Sequence, residues 1–201
     1  MSVTLPQATL HKGTPLHQVW LLYQILSLLK IVKKVFFVRS MEQLPCPCCS
    51  GVLKVIGSRK RKSVSDSGNI KILVVRRLRC IVCNRIHHEL PDILVPYKRY
   101  DRKSIEAVLD SKQPLTVAVD ECTIIRWRTW FRKMSNYFLG CLISLNIRYG
   151  NKSVAVQSTL PKSMLQRIRH YVGDAPRWLA RVVRSLANTN LWVHTRSAFM
   201  S

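Results

Sequence analysis

Carboxylates are scarce in this chain. Its 201 residues carry only 10 Asp and Glu against 33 Lys and Arg, a formal net charge of +23. Beyond Glu121 the only acidic residue is Asp174. Two-metal strand-transfer or hydrolytic chemistry needs several well-spaced carboxylates to hold its ions. The second half of this chain cannot supply them, so no catalytic domain is expected and the protein is read as a non-enzyme. Internal repeats and low-complexity tracts are absent, which excludes a solenoid or an array. An apolar content of 47% excludes a globally disordered chain.

Long uninterrupted apolar runs are missing too. The best candidate, Val19–Val38, is interrupted by Lys30, Lys33 and Lys34. That argues against a bilayer-spanning helix, which needs about 20 largely apolar residues. Most of its charge comes late, the reverse of a secretion signal. It is read as an amphipathic helix, buried or interfacial, in an N-terminal extension of residues 1–40. An alternative is that Met41 is the natural start.

The excess of positive charge points to a polyanionic partner, most commonly nucleic acid. A small neutral substrate has no need of such a field, and none is expected. An anionic membrane surface is the less favoured reading.

Seven cysteines are present, an odd number, and four of them form two C-x2-C pairs in the spacing C-x2-C-x30-C-x2-C. Together these argue for reduced thiolates, hence a cytoplasmic protein, and against a disulfide framework. Zinc favours a tetrahedron of soft ligands, and two thiolates spaced by two residues fit one tight turn. Cys46, Cys49, Cys80 and Cys83 are therefore expected to hold one structural zinc ion. Ser50-Gly51 follows the first pair and Asn84 the second. Gly and Asn tolerate the left-handed backbone that ends such turns. Cys48 is read as a bystander that could replace either neighbour. His87 and His88 could compete as ligands but are read as strand-end residues or phosphate contacts. Cys122 and Cys141 are read as ordinary buried cysteines.

Between the pairs, Val52–Ile56 and Ile70–Arg79 are rich in β-formers and flank the turn signal Ser65–Asn69. The expected structure is an antiparallel hairpin over residues 45–90, with a cysteine pair at the outer end of each strand. Arg59, Lys60, Arg61 and Lys62 in its arm, and Arg76, Arg77 and Arg79 on the return strand, are candidate phosphate contacts. Lys98 and Arg99 continue that surface through a proline-bounded connector. Tyr97 and Tyr100 beside them are read as packing against the hairpin.

Residues 91–133 read as this connector followed by a helix-turn-helix-like region. Arg102–Leu109 is expected to be a helix capped by Asp101. Leu115–Val119 is expected to be a second short helix. A third, Ile124–Lys133 with Thr123 as its cap, would bury Ile124, Trp127 and Phe131. It would present Arg126, Arg128 and Arg132 to a DNA groove. Residues 134–201 are expected to add two helical stretches split at Gly150 and Pro161. The fold class is α+β: a small zinc-ribbon hairpin followed by a helical region, with an extra N-terminal apolar helix.

The pattern CPCC…RRLRCIVCNRIHHELPDILVPYKRY with ECTIIRWRTWF resembles the bacterial family of the DUF6431 type. It is also similar to the N-terminal zinc-binding region of insertion-sequence transposases. The resemblance covers roughly Pro45–Phe131, and Asn84 stands where Gly often follows the second knuckle. It implies a zinc ribbon followed by a helix-turn-helix, linked to mobile DNA. The function expected is therefore binding of double-stranded DNA without a catalytic domain. The alternatives are an RNA-binding module or a protein-interaction adaptor on the same ribbon.

Overall fold

The β-rich runs on either side of Ser65–Asn69 close into the expected hairpin. In the computed structural model, which describes residues 35–40, 44–110, 116–149 and 163–192, β2 spans Leu53–Val64 and β3 spans Ile70–Cys80. They pair antiparallel from Leu53↔Cys80 to Val64↔Ile70, with one bulge between Val55 and Gly57. The turn is locked by Ser65, which donates from its N–H to Asn69 O and accepts from Asn69 N at its own Oγ.

The second edge of β3 is shared by two short strands. β1, Val35–Phe37, pairs parallel with Ile72–Val74, and β4, Ile86–His88, pairs antiparallel with Arg77–Arg79. The sheet is therefore mixed. The end of the expected N-terminal helix is in fact strand at Val35–Phe37. Val-Phe-Phe-Val is β-branched and aromatic, and β3 offers it unpaired backbone groups. The rest of that expected helix lies outside the described residues. Beyond β1, Val38 packs with Leu73, Val75 and Leu94 into a small core on one face of the sheet.

The connector runs along the outer edge of β2. Val64 donates to Arg99 O, and Asp101 N donates to Val64 O. Helix α1, Arg102–Asp110, begins as expected: Asp101 accepts the Ser104 N–H at 2.9 Å. The expected second helix is not formed. Residues 116–119 are non-helical, and Ala118 N bonds to Asp66 O at the hairpin turn. That tertiary bond displaces a short helix that lacks length to stabilise itself.

The expected third helix is the start of something longer. α2 spans Glu121–Arg148 and is capped by Asp120, which accepts from Thr123 N and Thr123 Oγ1, so Thr123 lies inside the helix. No proline interrupts the sequence, and the buried stripe continues from Trp127 and Phe131 to Phe138, Leu142 and Leu145. α3, Met164–Val172, and α4, Trp178–Asn188, complete a helical core. There Phe131 and Trp178 meet edge-on, and Phe138 stacks on Trp192. The turn between α3 and α4 is held by Arg181, which donates to the carbonyls of Val172, Gly173, Ala175 and Pro176.

Ion pairs tie sheet to helices: Asp66 to Lys103 of α1, and Asp92 of the connector to Arg184 of α4. Among the described residues, no helix is long and apolar enough to cross a membrane.

Candidate metal centre

The two cysteine turns have the same backbone geometry. In the first, Ser50 N donates to Cys46 O and Cys46 N to Gly51 O; in the second, Asn84 N donates to Cys80 O and Cys80 N to Arg85 O. Ser50 and Asn84 both take the left-handed conformation, at φ 60° and 57°. Gly51 serves another purpose than the one expected for it. A Cβ there would stand 2.8 Å from a methyl of Val82 and 3.0 Å from Cys80 Sγ. Glycine lets the first turn close against the second.

Because β2 and β3 start and end at this point, the turns face each other. The sulfurs of Cys46, Cys49, Cys80 and Cys83 all lie within 4.8 Å of one another. Cys46 Sγ is 3.6 Å from Cys83 Sγ, and Cys49 Sγ is 3.4 Å from Cys80 Sγ. All seven cysteines are free thiols, so these are not disulfides. A tetrahedral zinc–thiolate site places its sulfurs about 3.8 Å apart. The cluster could thus hold a metal ion with little rearrangement.

The four thiols differ in character. The N–H of Cys83, and with it that of Val82, pulls the Cys80 thiol down to about 6, against the opposing effect of burial. Burial pushes the Cys46 thiol up to about 12. Cys80 is therefore the more readily ionised of the two, while burial opposes ionisation of Cys46.

His87 is closer to this centre than a strand-end reading implies. It is buried, with Nε2 3.3 Å from Cys46 Sγ. Cys48 is not a plain bystander either: Arg85 Nη1 approaches its sulfur at 3.2 Å. The repeated C-x2-C dominates the sequence pattern, and nothing local in it brings position 87 back to position 46. Cys141 is buried as expected, but Cys122 is exposed in the first turn of α2.

The candidate nucleic-acid contacts differ in exposure and in partners. Arg59, Lys60, Lys62, Arg79, Arg99, Arg126, Arg128 and Arg132 are exposed. Arg77 is half-buried. Three others have structural partners. Arg61 donates to Val95 O and Lys98 O, and burial, with Arg59 beside it, lowers its pKa. Arg76 forms a two-pronged pair with Glu89, at 2.5 and 2.6 Å. Lys98 sits 4.2 Å over the ring of Trp130, and burial lowers its pKa. Tyr100 packs against Trp127 as well as bridging to Val64 of β2, whereas Tyr97 is exposed.

Beside the cysteine cluster a cleft of about 540 Å³ opens between the sheet and α4. Pro47, His87, Arg76 and Glu89 line one wall, and Ala180, Val183 and Arg184 line the other.

Residues 46–127, from the first cysteine of the cluster to the second turn of α2, match the family described as Domain of unknown function (DUF6431). No curated protein and no solved structure matches the chain.

Proposed function

We propose that this protein binds double-stranded DNA through a basic surface displayed on a zinc-clamped sheet and on α2, with no catalytic domain of its own. One ion of zinc, held by Cys46, Cys49, Cys80 and Cys83, is structural in this reading, because four protein sulfurs complete its tetrahedron and leave no open position. Reduced thiols suit a cytoplasmic setting. The link to transposase-like proteins of mobile DNA rests on sequence resemblance.

The observation that carries the reading is how the scarce carboxylates are used. Asp66, Glu89, Asp92, Glu106, Asp110 and Asp174 are all in ion pairs. Asp101 and Asp120 cap helices. Arg59, Lys60, Lys62, Arg79, Arg99, Arg126, Arg128 and Arg132 stand outside the ion pairs formed among the described residues. The elements that carry them are joined, since the connector bearing Arg99 bonds to β2 at Val64 and packs on α2 through Tyr100 and Trp127. Such a field binds phosphates by releasing counterions.

The test is retention of duplex DNA by the full chain across a salt series, with single-stranded RNA as competitor. Retention should weaken steeply between roughly 50 and 200 mM salt. Salt-independent retention, no retention, or preference for the RNA would overturn the assignment.

A second reading, a protein-interaction adaptor, is favoured by an exposed apolar tip beside the metal centre. Val52, Ile81 and Val82 are more than half exposed, and Ile81 N bonds to Val52 O. It predicts that Ile81→Ser with Val82→Ser abolishes an association detectable by sedimentation while leaving DNA retention unchanged.

A further inference from the structure

We infer that Cys46, Cys48 and His87 form a second metal site that shares the Cys46 sulfur with the first, making the centre binuclear. The inference rests on the structural-zinc reading above, because Cys46 must already be a thiolate held in place by the first ion.

The geometry is specific. Cys46 Sγ, Cys48 Sγ and a ring nitrogen of His87 all lie within 4.8 Å of one another. The closest approach, Cys46 Sγ to His87 Nε2, is 3.3 Å. In a tetrahedral site with two sulfurs and an imidazole, sulfur and nitrogen stand about 3.6 Å apart. His87 is 7% exposed and belongs to β4, whose pairing with β3 fixes its position opposite Leu78. The ring does not swing in from a loop. It is delivered by the sheet, and Cys48 by the same turn that carries Cys46 and Cys49.

Charge also favours a second cation. A four-thiolate zinc centre carries a net charge of about −2, spread over sulfurs that retain lone pairs able to bridge. Adding Cys48 as thiolate and a second divalent ion brings the pair of sites to about −1, and the Arg85 guanidinium lies 3.2 Å from Cys48 Sγ to offset it. Two thiolates and one imidazole select a soft or borderline ion of the zinc class.

The two sites differ in closure. The first has four protein sulfurs. The second has three protein donors, and its surroundings, Pro47 and His87, form part of the wall of the cleft between the sheet and α4. Three protein donors leave a fourth position of a tetrahedral ion for water or a small anionic donor. The second ion should therefore be the weaker and the faster to exchange.

The test is titration of the full-length protein with Cd²⁺, read by native mass spectrometry and by ¹¹³Cd NMR. Wild type should take up two ions in sequence, giving one resonance of a four-sulfur site and a second in a less thiolate-rich range. Cys48→Ser should lose the second ion and its resonance while retaining the first, and His87→Ala should do the same. Because His87 is buried and its replacement could disturb β4, the half-buried Cys48 provides the decisive variant. Saturation of wild type at one ion overturns the second site and leaves the structural-zinc reading standing. So does a second ion that survives Cys48→Ser. Uptake of no ion overturns both.

Discussion

The sheet and the helical region solve the same problem with unequal means. The helical region buries sixteen residues in one cluster, among them Trp127, Phe131, Phe138, Trp178 and Trp192. The sheet's cluster is Val38, Leu73, Val75 and Leu94. Long stretches of β2 are exposed on both faces, from Lys54 through Lys60. A core of four aliphatic side chains is worth roughly 6–12 kcal/mol of burial, well short of the ordering entropy of some forty residues. The helical half buries far more apolar surface for its length, so the sheet is the part that depends most on a clamp at the end where its strands meet.

The largest effect is expected from removing the clamp. Structural zinc contributes on the order of 10 kcal/mol to small domains of this type. Chelation, or Cys80→Ser, should erase amide-exchange protection across β2, β3 and β4 while α2 stays protected. Persistence of the sheet in verified metal-free protein would sink the clamp argument.

The converse variant attacks the helical side. Trp127 is 4% exposed and packs edge-to-face on Tyr100. Trp127→Ala should cost about 3–5 kcal/mol and unfold the helices in thermal melts followed by circular dichroism. Metal stoichiometry should remain that of wild type. Loss of metal in this variant would mean that the two regions form one cooperative unit.

A smaller effect tests where the sheet ends. A chain beginning at Met41 lacks β1, the buried Val38 and the N–H that Ser40 donates to Glu89. Read from sequence alone, removing residues 1–40 should leave metal and DNA binding intact. With β1 paired to β3, the shortened chain should still bind metal but denature at lower urea. A loss of about 2–4 kcal/mol follows from one buried valine and the missing pairing. Equal denaturation midpoints for this chain and one beginning at Val35 would show that β1 adds nothing.

The smallest stability effects should fall on exposed cations, and there the readout is binding. Replacing Arg59, Lys60 and Lys62 with alanine should leave stability within about 0.5 kcal/mol and flatten the DNA salt slope by about one unit for each phosphate no longer neutralised. Replacing Arg126 or Arg128 should mainly erode preference for a selected site, by about 1–3 kcal/mol for an arginine that reads a base edge. Arg61→Ala and Arg76→Ala should instead lower stability, because their guanidinium groups hold the connector and Glu89. If all of these arginines change the salt slope alike, the division into structural and binding cations is wrong.

How much of this could be read in advance follows from the range of the forces involved. The hairpin, its turn and the two cysteine turns depend on alternation, Gly/Asn/Ser chemistry and x2 spacing, which are local. They stand in the structure where the sequence places them, as does the Asp101 cap. The burial of Trp127 and Phe131 follows from helical spacing and is equally local. Local pattern was thus enough for the cysteine cluster, the strands that carry it and the sign of the molecular field. Partners distant in the chain settled the rest. Val35–Phe37 became a strand because β3 had an open edge. Residues 116–119 stayed non-helical because Asp66 supplied a carbonyl, and Arg61 and Arg76 were committed to internal bonds. His87 reached the Cys46 sulfur because β4 folds back along β3. No periodicity records such encounters, since each one is chosen by a hydrogen-bonding group or a buried surface that exists only once the rest of the chain has folded.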